Sequence, residues 1–73
     1  MTIQNELYTT ILGNGISEIQ CRYIAFKLET FGVKKILEIS KNNDHYILKT
    51  DVKQYKIEPL DIDIPATPIS ELQ

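Results

Sequence analysis

Apolar residues recur three and four apart in the first half of the chain and two apart in the second, and the change falls at Gly32. A period near 3.6 buries one stripe of a helix, whereas a period of 2 buries one face of a strand. Helix followed by sheet is therefore the arrangement that hides both sets of side chains at once.

Upstream of the change, Ile16-Ser17-Glu18-Ile19-Gln20-Cys21 reads as a capping box. The Ser17 hydroxyl accepts from the Gln20 amide, the Gln20 side chain reaches back to Ser17, and Ile16 and Cys21 flank them as a hydrophobic staple. Glu18 suits the positive end of the helix dipole, and Gly32 after Phe31 supplies a left-handed stop. The spacing predicts a helix over 18–31, with Cys21, Ile24, Ala25, Leu28 and Phe31 as its buried stripe and Gln20, Lys27 and Glu29 off it. Ile3, Leu7, Tyr8, Ile11 and Leu12 repeat with the same period until Gly13-Asn14-Gly15, which predicts a further helix over 3–12. Tyr8-Thr9-Thr10-Ile11 has a β-favouring composition, so a strand is the competing reading there.

Downstream, Lys41-Asn42-Asn43-Asp44 interrupts the β-rich stretch with turn residues and predicts a hairpin. An Asn42-Asn43 loop sets Ile39 opposite Tyr46 and Leu37 opposite Leu48 on the buried surface, leaving Ile36, Glu38, Ile47 and Lys49 on the other. A strand over Gln54 to Glu58 adds Tyr55 and Ile57 to the buried surface and turns Gln54 and Lys56 to water. The turn before it, Thr50 to Lys53, has no glycine to mark its boundary. Pro59 closes that strand, Leu60-Asp61-Ile62-Asp63-Ile64 alternates as an edge strand, and Pro65 and Pro68 break the pattern. The fold class expected is α+β: one or two N-terminal helices packed on a three- to four-stranded antiparallel sheet. Residues 1–65 make the single domain, and 66–73 read as a flexible C-terminal tail with few apolar groups to offset its ordering entropy.

Size and side-chain chemistry narrow the function. A chain of 73 residues has room for one core and removes only about 60% of its unfolded surface from water, leaving little stability for strained catalytic geometry. The single cysteine, Cys21, rules out an intrachain disulfide, and the single histidine, His45, on another element leaves no set of soft metal ligands. Cys21 reads as a core residue and His45 as a polar residue beside a turn. Gly13-Asn14-Gly15 begins like a phosphate-binding fingerprint, but Glu18 stands where the third glycine belongs and would repel a pyrophosphate. Asp61 and Asp63 read as solvated charges. No catalytic residue, metal or cofactor is expected, and the chain is not read as an enzyme. Met1-Thr2-Ile3-Gln4-Asn5-Glu6 lacks the features of a signal peptide, and Tyr23-Ile24-Ala25-Phe26 is far short of the ~20 apolar residues of a membrane span, so a cytoplasmic setting is expected.

The formal net charge is -2, with six lysines against four carboxylates over residues 34–58 and three carboxylates without a base in the last fifteen. Lys35, Lys49, Lys53 and Lys56, interleaved with Tyr46 and Tyr55, carry a nucleic-acid reading. The lone arginine, the nearby carboxylates and the expected burial of both tyrosines count against it. The leading expectation is a non-enzymatic interaction module, a regulator of adaptor or inhibitor type that occupies a surface of a partner protein. Leu60, Ile62 and Ile64 are its expected interface, either covering the home sheet or pairing with another protein or a second copy. Twelve isoleucines, and seven lysines to one arginine, point to an AT-rich bacterial or phage genome.

Overall fold

The computed structural model describes residues 2–58 and 68–72. In chain order these form α1 (Ile3–Leu12), α2 (Glu18–Thr30), β1 (Ile36–Asn42), β2 (His45–Thr50), β3 (Gln54–Ile57) and β4 (Ile69–Leu72). The strands make one antiparallel sheet in the order β1-β2-β3-β4, so the fold is the expected α+β. The core lies between the helix pair and one sheet face: Leu7, Ile11, Ile24, Leu28 and Val33 from the helical half meet Leu48, Tyr55 and Ile57.

Residues 3–12 are helical because the threonine hydroxyls that favour another state bond to the helix's own backbone. The Thr2 hydroxyl accepts from the Asn5 amide at 3.1 Å and caps the first turn. Thr9 and Thr10, the residues that favour a strand, donate their hydroxyls to the carbonyls of Asn5 and Glu6, both at 2.9 Å. With Leu7 and Ile11 buried on the same face, helix wins over strand.

Ser17 caps α2, accepting from the Gln20 amide at 3.4 Å and donating to the Gln20 side-chain oxygen at 3.1 Å. Gln20 was expected off the buried stripe, yet it is 2% exposed. It precedes Ile24 by one helical turn and therefore shares its face. The helix closes in a Schellman motif: Gly32 takes φ 93°, its amide donates to Glu29, and Val33 donates to Leu28 at 2.9 Å. Phe31, expected on the buried stripe, is instead the exposed C-cap. Its ring stacks on Tyr55 with centroids 5.5 Å apart.

The hairpin register differs from the expectation by a two-residue step. Asn42 pairs with His45, so Asn43 and Asp44 form the loop, with Asn43 at φ 55°. Ile39 consequently pairs with Leu48 and not Tyr46. A step of two keeps every side chain on its face, so Tyr46 still packs on the core beside Ile39. Leu37 does change face. A bulge between Ile36 and Glu38 turns Ile36 inward, opposite Thr50, and leaves Leu37 60% exposed. The cause lies in the joint that feeds β1. Val33 is buried, and Oδ1 of Asp51 accepts from the amides of Lys34 and Lys35 at 3.1 and 3.3 Å. This pins the strand entry so that Ile36 meets the core, and the residue in excess of the ladder is absorbed at Leu37.

Tyr55 and Ile57 face the core from β3, as expected. The turn before it is built by Thr50, whose hydroxyl accepts from the Val52 and Lys53 amides at 3.1 Å and donates to the Lys53 carbonyl. The segment expected as a tail departs from that reading at Ile69–Leu72, which pairs along β3 as β4. Ile69 lies opposite Ile57 and packs on the core edge, and the Glu71 carboxylate reaches Lys53 at 3.4 Å. Leu60, Asp61, Ile62, Asp63 and Ile64, with the edge strand expected there, lie outside the described residues.

Candidate functional site

The helices cover one face of the sheet, and the strand alternation assigns Glu38, Ile47, Lys49, Gln54, Lys56 and Leu72 to the other face. Near the bulge this outer face is concave. Leu37, Val52 and Leu72 surround a depression of about 600 Å³ whose polar rim includes Lys49, Lys53, Gln54 and Glu71. Each apolar member is placed by a different local device. The bulge turns Leu37 out, the Thr50 hydroxyl shapes the turn that lifts Val52, and pairing with Gln54 sets Leu72 at the far side. Leu37 and Val52 are 60% and 49% exposed. A cluster of exposed apolar side chains rimmed by charge has the make-up of a contact surface, whereas single scattered ones need no explanation.

The rim is electrically balanced. Lys49 Nζ lies 3.5 Å from Glu38, Lys53 Nζ 3.4 Å from Glu71, and Lys56 Nζ 2.9 Å from Glu58. Three of the four lysines of the nucleic-acid reading are thus each matched by a carboxylate. Lys35 lies in the joint, its amide bound to Asp51 and its carbonyl accepting from the Asp51 amide at 3.2 Å. The tyrosines offer no stacking platform: Tyr55 is buried under Phe31, and Tyr46 packs on the core. Burial, chiefly, also raises the Tyr55 hydroxyl pKa above its ordinary value.

Cys21 is fully buried and its Sγ donates to the Ile16 carbonyl at 3.3 Å. Burial, aided by the Glu18 charge, pushes the thiol pKa to about 11, which leaves it protonated and inert at neutral pH. His45 is half-buried beside the hairpin turn, with Nδ1 3.6 Å from Asp44. Among the described residues no three His, Cys, Asp or Glu side chains gather as metal ligands. Gly13-Asn14-Gly15 joins the two helices, with the Asn14 side chain donating to the Thr10 carbonyl at 2.9 Å. Among the described residues, no helix is long and apolar enough to cross a membrane.

The sequence showed only part of this site. Charge alone points to Lys49 and Lys53, whereas strand alternation places Leu37 among the buried residues, and Val52 and Leu72 carry no periodic signal. The strand entry just before the bulge is held by Asp51, 16 and 17 positions away from the amides it binds. No family model, curated protein or solved structure matches the chain.

Proposed function

We propose that this chain is a non-enzymatic protein-interaction module of adaptor or inhibitor type, acting in the cytoplasm by holding a partner protein on the outer face of its sheet. The observation that carries the reading is the grouping of Leu37, Val52 and Leu72 on a face that the helices leave uncovered. An apolar depression whose two rim lysines, Lys49 and Lys53, each lie beside a carboxylate, Glu38 and Glu71, suits an apolar side chain presented by a protein segment. The same rim suits a polyanion poorly, because each lysine brings a carboxylate with it.

Site-specific photocrosslinking in the source cells tests this. A photoreactive side chain at Val52 is expected to trap a discrete partner, and Leu37→Glu or Leu72→Glu is expected to abolish the adduct. The same photoreactive group at exposed Thr9 on α1 should not trap that partner. Equal capture from both positions, or capture indifferent to Leu37→Glu, would contradict the reading. Oligonucleotide binding at about 50 mM salt that disappears by about 200 mM and depends on Lys49 and Lys53 would favour the nucleic-acid reading instead.

A further inference from the structure

α2 has a second apolar stripe, opposite the one it buries. Ile19, Tyr23 and Phe26 recur at i, i+4 and i+7 on the side facing away from Cys21, Ile24 and Leu28. Ile19 is 59% and Phe26 54% exposed, and Tyr23 is half-buried. Thr30 continues the row. Its hydroxyl is occupied by the Phe26 carbonyl at 2.9 Å, so the side chain offers its methyl group. A helix with apolar residues on both sides has one face more than its own fold uses.

We propose that this stripe pairs with α2 of a second copy of the chain, antiparallel, to form a two-fold symmetric dimer. The spacing of 19, 23, 26 and 30 is that of alternating core positions in a two-helix seam, and it places Arg22 and Glu29 together on one flank and Lys27 on the other. In a two-fold antiparallel seam a flank faces its own copy. Tyr23 then meets Phe26 of the second copy, Ile19 meets Thr30, and Arg22 meets Glu29 in two equivalent pairs. A parallel seam sets each flank against the other and brings Arg22 toward Lys27, two like charges. The charge pattern thus selects both the occupant and its direction.

The flank residues are free to do this. Arg22 lies 3.6 Å from Glu18, with both side chains well exposed, and 4.8 Å above the ring of half-buried Tyr8. A guanidinium has donors enough for a second carboxylate without leaving the first. Helix-to-helix pairing leaves the sheet of each copy on the outside, so the dimer displays two of the depressions described above. The pairing rests on α2 alone and stands or falls separately from the partner-binding reading.

Sedimentation velocity of the full chain across about 1 μM to 1 mM tests the pairing. The expected result is a reversible monomer–dimer equilibrium. Phe26→Glu should weaken it about a hundredfold. Arg22→Glu or Glu29→Arg alone should weaken it about tenfold, and the Arg22→Glu/Glu29→Arg double variant should restore it toward the parent value. All of these positions are on the exposed side, so circular dichroism should be unchanged. A monomer across the whole range, a dimer indifferent to Phe26→Glu, or a double variant no better than the singles would overturn the proposal.

Discussion

One carboxylate oxygen holds the joint between the helical and sheet halves. Oδ1 of Asp51 takes the Lys34 and Lys35 amides, while the Asp51 amide donates back to Lys35. The Lys34 amide, chiefly, and then the Lys35 amide hold the carboxyl below its ordinary pKa of 3.8 despite its exposure. A carboxyl lowered in the folded state stabilises the fold above its unfolded pKa and loses that contribution as pH falls through the lowered value. Thermal melts of the parent should therefore lose stability as pH drops below 3.8, and Asp51→Asn should be less stable at pH 7 with a shallower acid limb. Parallel acid limbs would show that the clamp is not formed. Nothing in the residue order announces this contact, because its partners lie 16 and 17 positions away. Gln20, by contrast, could have been placed by geometry alone. Its polarity argued for the surface, whereas its position one turn before Ile24 put it inside.

At the scale of elements, legibility follows the range of the forces that end them. The bounds of α2 were readable because Ser17, Gln20 and Gly32 act on backbone groups within a turn. Ser17→Ala should cost about 1 kcal/mol, and Ser17→Asp should recover most of it, as measured by urea denaturation. An unchanged midpoint for Ser17→Ala would mean that the cap contributes nothing beyond helix packing. The alternation of β2 and β3 was equally clear, since Leu48, Tyr55 and Ile57 each face the core as expected. The loop position was not. Asn42, Asn43 and Asp44 are all turn formers, and only the backbone of Asn43, at φ 55°, decides among them. β4 was missed for a different reason. Ile69 and Leu72 fall on opposite faces of a four-residue strand, so no period marks it. Its place is set by the open edge of β3 and by Glu71 reaching Lys53.

At the scale of the whole molecule, the described residues form two layers around one core, and among them nothing covers the outer sheet face or the outer side of α2. A chain this small has few apolar residues beyond those a core needs. Seven large apolar side chains are nonetheless exposed among the described residues. The four most exposed, Leu37, Ile19, Phe26 and Val52, fall into two separate groups, while Ile3, Leu12 and Phe31 stand apart from both and are each less exposed. That distribution is what makes binding the economical reading of both surfaces. The central claim is that the bulge aims Leu37 away from the core into an uncovered depression with Val52 and Leu72. Methyl NMR with a soluble paramagnetic agent measures this directly. The Leu37 and Val52 methyls should be strongly attenuated, Leu72 partly so, and Leu28, Leu48 and Ile57 should be protected. Protection of Leu37 equal to that of Leu48 would contradict the account.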